Sequence, residues 1–270
     1  MRKNLRNNRV LSTKRIFNNK SAKSQASQIW ALRKRINRVY QRTKPEFKVL
    51  RSEVDNRGFG YNTSSISAPN LVNIYMGTIN YPAVGTGDDQ RIGNKITMYP
   101  VNMFMNIRYM ETNNVLNNLS PYITSQLHTD GMILRFIAVQ QISAGSDNIT
   151  ANDILSNPEY GVGATSQEMM MNMTMPFKNG ITSRFKILKD KRINLSKDKP
   201  IYAARFKIKP QIKTLRWEDN ETYPAGTIWY IMLSAGGELI GKAADGGSQM
   251  FYHYNQLDVT WRYELTYTDA

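Results

Sequence analysis

Leu257-Asp-Val-Thr-Trp-Arg-Tyr-Glu-Leu-Thr-Tyr267 decides the fold. Leu257, Val259, Trp261, Tyr263, Leu265 and Tyr267 share one face, and Asp258, Thr260, Arg262, Glu264 and Thr266 share the other. A period of two held this long marks a strand with one side on a core and one in water. Residues 205–216 repeat the pattern, with Phe206, Ile208 and Ile212 opposite Arg205, Lys207, Lys209, Gln211 and Lys213. Residues 184–187 set Phe185 and Ile187 against Arg184 and Lys186. Residues 131–142 and 227–235 are nearly unbroken apolar runs, which predicts central strands covered on both faces.

Between residues 92 and 110 the apolar phase changes. Ile92, Ile96 and Met98 hold even positions before Pro100, whereas Val101, Met103, Met105, Ile107 and Tyr109 hold odd ones after it. A phase change at a proline predicts a bulge or corner in one long strand. Residues 151–156 form a short helical candidate, and residues 160–182 depart from the strand pattern. The chain after residue 44 therefore reads as all-β, a single jelly-roll sandwich of about eight antiparallel strands over residues 45–270. Its length supplies a sizeable core, and no internal repeat or second boundary interrupts it.

Charge divides the chain differently. Of 36 Lys and Arg in 270 residues, fourteen lie in residues 1–44: Arg2, Lys3, Arg6, Arg9, Lys14, Arg15, Lys20, Lys23, Arg33, Lys34, Arg35, Arg38, Arg42 and Lys44. No Asp or Glu accompanies them, and the remaining chain holds 22 basic against 21 acidic residues. A cationic segment with no internal counter-charge requires an external polyanion, and nucleic acid fits that requirement. All fourteen are candidate nucleic-acid-binding residues.

The arm has two halves. Residues 1–23 are too polar to repay ordering, which predicts disorder until bound. Residues 24–43 predict one amphipathic helix, with Ile29, Leu32, Ile36 and Val39 in a stripe and Trp30 and Tyr40 beside it. Ser24 or Ser27 is the expected cap, and Pro45 the expected stop. Phe17, Trp30 and Tyr40 offer stacking surfaces for unpaired bases, although for Trp30 packing beneath the folded body ranks first. Arg33-Lys-Arg35 also fits a nuclear import signal. Arg184, Lys186, Arg205, Lys207, Lys209 and Lys213 form a second basic set, either a solvated face or a continuation of the arm's phosphate contacts.

Catalysis finds no footing in these residues. The chain has no cysteine, so thiol chemistry and thiolate metal sites are excluded. His128 and His253 stand outside any recognisable motif. Gly85-Thr-Gly87 lacks the third glycine of a dinucleotide site and reads as a turn. Asp88-Asp89 reads as a polar loop, with divalent-cation binding at a subunit contact the sharper alternative. The methionine cluster at residues 169–175 suits either core filling or a pliable subunit contact. The expectation is a non-enzyme with no cofactor and no metal. No apolar run reaches the roughly 18 residues that span a bilayer, and the N-terminal residues have no apolar signal-peptide core. Neither membrane insertion nor export by a cleaved signal is expected.

Four stretches behind the basic arm carry a resemblance: Lys44-Pro-Glu-Phe-Lys48, Gln90-Arg-Ile-Gly-Asn-Lys-Ile96, Arg184-Phe-Lys-Ile-Leu-Lys-Asp190 and Tyr263-Glu-Leu-Thr-Tyr-Thr-Asp269. In order and spacing the chain resembles the capsid proteins of small circular single-stranded DNA viruses that encode a replication initiator, the circovirus-like CRESS-DNA viruses. The resemblance implies a jelly-roll shell protein assembling as sixty copies in a T=1 icosahedral virion, with the arm inside on a single-stranded genome. It ranks DNA ahead of RNA, places assembly in the host nucleus and leaves the host receptor unidentified. The arm is less arginine-dense than circovirus arms and is diluted with Asn. The coat protein of a small RNA virus, and a nucleic-acid-binding protein of ribosomal or movement type that builds no shell, remain the alternatives.

Overall fold

The computed structural model describes residues 21–42, 46–62, 70–114, 131–145, 148–158, 166–218, 222–236, 239–243 and 250–269. The chain divides into two compact units, Met1–Glu46 and Phe47–Ala270. The described part of the first is one helix, α1 (Ala22–Arg42). It begins one turn earlier than the capping residues suggested, so Ser24 and Ser27 lie inside it. Pro45 lies outside the described residues.

The second unit holds thirteen strands among its described residues. They are β1 (Lys48–Arg51), β2 (Asp55–Asn62), β3 (Asn70–Val72), β4 (Ile74–Thr78), β5 (Lys95–Met98), β6 (Val101–Asn114), β7 (Gly131–Gln141), β8 (Phe185–Ser196), β9 (Ile201–Ile208), β10 (Thr214–Arg216), β11 (Ile228–Ala235), β12 (Leu239–Ala243) and β13 (Met250–Asp269). Between β7 and β8 come helices α2 (Ala151–Ile154) and α3 (Ser166–Thr174) and a 3-10 turn at Ile181–Ser183.

Eight strands define the architecture. One sheet runs β2-β13-β6-β9, the other β4-β11-β7-β8, and every strand pairing is antiparallel. In chain order these eight strands are β2, β4, β6, β7, β8, β9, β11 and β13. The first sheet therefore holds the first, eighth, third and sixth, and the second holds the second, seventh, fourth and fifth. Every connection except that from β7 to β8 crosses between sheets. This interleaving is the jelly roll, and the fold is all-β as the period-two pattern implies. The additional strands line the rims: β12 and β1 extend the edge of β13 that carries β2, β5 continues the edge that carries β6, β10 pairs with β5, and β3 pairs with β2.

The quoted stretch lies at the centre of the larger sheet. Leu257, Val259, Trp261, Tyr263, Leu265 and Tyr267 are all buried. Trp261 meets the facing sheet directly, its Nε1–H donating to the Tyr230 hydroxyl at 3.1 Å while its ring lies 4.9 Å from that of Tyr75. From β7 and β11, Leu134, Phe136, Ala138, Tyr230 and Met232 enter the same intersheet core. The alternate side chains Ile137, Val139, Trp229, Ile231 and Leu233 point the other way, into a second core closed by Ile149, Ile154, Leu155, Met173 and Ile181. The excursion between β7 and β8 supplies that cover, so both strands read as continuous apolar runs. The methionine cluster divides accordingly: Met173 is buried, while Met171 is 61% exposed.

Two expected strands prove discontinuous. Residues 205–216 are β9 and β10, separated by Lys209-Pro210, where proline can donate nothing to a ladder. Residues 92–110 are β5 and β6, broken at Tyr99-Pro100, and both run along one edge of β13. Ile92 is 64% exposed, in the turn before β5 rather than on its buried face.

Gln140 fastens the loops around β10. Its Nε2 donates to the carbonyls of Ile212 and Gly226, both at 2.8 Å. Its Oε1 accepts from the N–H groups of Gln211 and Ile212. Gly226 has φ +95°, and a Cβ there would lie 2.6 Å from Leu215 Cδ2. Gln140→Leu keeps the volume but strands four backbone groups. A loss of about 3 kcal/mol is expected, read as a lowered urea midpoint with an unchanged slope.

Candidate nucleic-acid interface

The arm's charge is described only in part. Arg2, Lys3, Arg6, Arg9, Lys14, Arg15, Lys20 and Lys44 lie outside the described residues, as does Phe17. Lys23 and Arg42 lie on α1, and Arg33, Lys34, Arg35 and Arg38 are exposed on it. No acidic residue stands in the first turn of α1. At 100° per residue, Lys34 and Arg38 fall opposite the Ile29, Leu32, Ile36 and Val39 stripe, while Arg33 and Arg35 flank it on either side. All four aliphatic side chains are more than half exposed. Trp30 is 65% exposed, with Lys34 Nζ 5.0 Å from its ring centre. The helix presents Lys34 and Arg38 on one side and an aliphatic stripe on the other, with Arg33 and Arg35 at the borders. The first suits a row of phosphates, and the second suits protein.

The second basic set disperses. Arg184 is committed to Asp153, 3.0 Å away. Burial works against the Asp153 charge, but hydrogen bonds from Thr150 and Arg184 outweigh it and hold the carboxyl below its ordinary range. Lys186 is half-buried on β8. Arg205 and Lys207 are exposed on β9, and Lys209 and Lys213 are exposed on the loop that follows. Register places Arg205 beside Phe104, and Phe104 beside Arg262. Neither Phe104 nor Arg262 stood out as a candidate in the sequence. The available signal was Phe104 itself, an aromatic side chain at an even position in a stretch whose apolar residues are odd.

Three of the four stretches behind the family resemblance meet at one place. Lys48 Nζ donates to the Gln90 carbonyl at 2.9 Å and pairs with Asp269 at 2.9 Å. The Ile92 N–H donates to the same carboxylate. Burial works against the Asp269 charge. Hydrogen bonds from Lys48 and Ile92, together with the Lys48 and Arg91 charges, outweigh it and lower the pKa. These residues tie β1 and the 90–92 turn to the end of β13, a structural role.

Asp88-Asp89 is exposed in a turn, where Gly87 N–H donates to Gln90 Oε1 and Gln90 N–H donates to the Gly87 carbonyl. Among the described residues, no group of three or more potential metal ligands converges. No described helix is long and apolar enough to cross a membrane. His128 lies outside the described residues, and His253 is on β13.

No protein-family model matches the chain, and no curated protein sequence does. Among solved structures, the chain is similar to the VP1 pentamer of human polyomavirus 6, at 10% identity and a TM-score of 0.30, covering 84% of this chain and 96% of that one. It is similar to the capsid of Penaeus stylirostris densovirus, at 11% identity and 0.26, covering 83% and 85%. It is similar to chimpanzee polyomavirus VP1, at 9% identity and 0.27, covering 83% and 95%. Superpositions at these scores do not establish the fold, which rests on the strand order of the two sheets.

Proposed function

We propose that this chain is the capsid protein of a small circular single-stranded DNA virus, which self-assembles as sixty copies in a T=1 icosahedral shell and packages its genome through the N-terminal arm. The carrying observation is the joining of two unlike parts in one chain. A jelly roll in the β2-β13-β6-β9 and β4-β11-β7-β8 order follows an arm with fourteen cations and no acidic residue. A fold alone does not give a function; the arm supplies the chemistry. Lys and Arg neutralise phosphates and release counterions without reading sequence, which suits a protein that must cover a whole genome. Sixty arms carry about 840 positive charges, enough for a comparable number of phosphates.

The aliphatic stripe of α1 supports assembly rather than simple binding. Phosphate contacts leave it uncovered, and a neighbouring copy in a shell buries it. The arm's Arg33-Lys-Arg35 run supports assembly in the host nucleus, and the virion is the final location.

Particle size tests this reading. Protein expressed with nucleic acid present is expected to give uniform shells of about sixty subunits by light scattering and negative-stain microscopy. A monomer or small oligomer under those conditions overturns the shell and leaves a nucleic-acid-binding module.

A further inference from the structure

Register brings Arg205, Phe104 and Arg262 side by side on three adjacent strands, on the face of the larger sheet that points away from the core. Both guanidiniums pack on the same ring, Arg205 at 5.2 Å and Arg262 at 5.3 Å from its centre. Among the described residues neither forms an ion pair with a carboxylate. The one nearby acid on β13 that has a cation, Glu264, is taken by Arg51.

Next to this triad, the following row across the same three strands is Ala203, Asn106 and Thr260. Small side chains there leave an open groove of about 500 Å³, with the triad as one wall. The lining is largely apolar although two arginines stand over it. Among the described residues, Asn106 Oδ1 has no hydrogen-bond partner.

We infer that this groove is a subsite for single-stranded nucleic acid, which holds an unpaired base against the Phe104–guanidinium wall and a phosphate on Arg205 and Arg262. It rests on the packaging role proposed above and adds to it: the sheet face bearing the groove is the one turned to the genome. A nucleotide matches the site in both of its parts. Its flat apolar base fits over the small-residue floor and stacks on an aromatic or guanidinium plane. Its phosphate supplies the charge that two unpaired arginines lack, in the fork geometry that guanidinium favours. A duplex hides its base faces, so the groove selects unpaired strands, which phosphate contacts alone do not do.

The test uses the full-length protein and a fluorescein-labelled ten-nucleotide oligothymidylate, titrated over a range of salt. Phe104→Leu is expected to weaken binding about tenfold while leaving the dependence of log K on log salt unchanged. Arg205→Gln with Arg262→Gln is expected to flatten that dependence by about 0.7, the contribution of one phosphate contact on a single strand. Photocrosslinking of the unaltered protein to a bromodeoxyuridine oligonucleotide is expected to mark the tryptic peptide of residues 96–108. Variants that match the parent in affinity and slope, with adducts confined to residues 1–44, overturn the groove and leave the packaging arm standing. A parent protein that binds no oligonucleotide overturns both.

Discussion

Replacing Arg135 by Met is expected to cost about 3–5 kcal/mol of folding stability. Arg135 is 1% exposed on the side of β7 that faces away from the intersheet core. Its Nε and Nη2 donate to the two Asp190 carboxylate oxygens at 3.1 and 2.8 Å. Its Nη1 donates to the carbonyls of Asn172 and Met175 at 2.7 and 2.8 Å. The guanidinium also stands 5.6 Å from the Phe177 ring. One side chain thus holds the end of α3 and the segment after it onto β7 and β8. Without it, the Asp190 carboxylate loses its cation and two carbonyls lose their donor, while the second core loses the segment that carries Met173.

Two controls separate the pair from simple packing. Asp190→Asn is expected to destabilise through the buried guanidinium it leaves without a counter-charge. Arg135→Met with Asp190→Leu is expected to recover much of the loss, since no charge then remains to be desolvated. Urea midpoints measure the cost, and proteolysis within residues 166–178 reports whether the segment lifts first. Single variants that melt like the parent would remove Arg135 as the fastening.

Such fastening explains where the sequence stops being legible. Residues 257–267 announce their strand because one face meets water and the other a core, so polarity alternates with the backbone. β7 and β11 are legible as unbroken apolar runs, but the runs do not say what covers the outer face. That cover is α2, α3 and the 3-10 turn, and the methionine-rich α3 has no clear polar side to betray it. Its place is set by Arg135 reaching across 37 and 40 residues to Asn172 and Met175, which no local pattern carries. Pro100 and Pro210 were visible, and both ended strands outright where continuity was expected. The arm was legible by counting charge alone, whereas the Arg205–Phe104–Arg262 triad exists only once β9, β6 and β13 are in register. A lone aromatic residue on a polar phase was its only trace.

Deleting residues 1–44 is expected to remove nearly all high-affinity, salt-dependent binding to nucleic acid. The remaining 226 residues carry 22 basic and 21 acidic side chains, so little net attraction is left for a polyanion. With ten of the fourteen arm cations on phosphate, log K falls with log salt at a slope of about −7 on a single strand. Affinity then drops about ten-thousand-fold between 50 and 200 mM salt. The truncated protein is expected to show a slope no steeper than about −1, in keeping with the single phosphate assigned to the groove arginines. Binding isotherms across that salt range measure both slopes. Substituting Arg2 and Lys3 together by Ala lowers the slope by only about 1.4, because neutralisation is shared among many interchangeable charges. A truncated protein that keeps the parent's slope would move the principal site from the arm to the strands, to Arg205, Lys207 and Arg262. The jelly roll would then bind the genome by its own face, and the unpaired charge of residues 1–44 would need another polyanion.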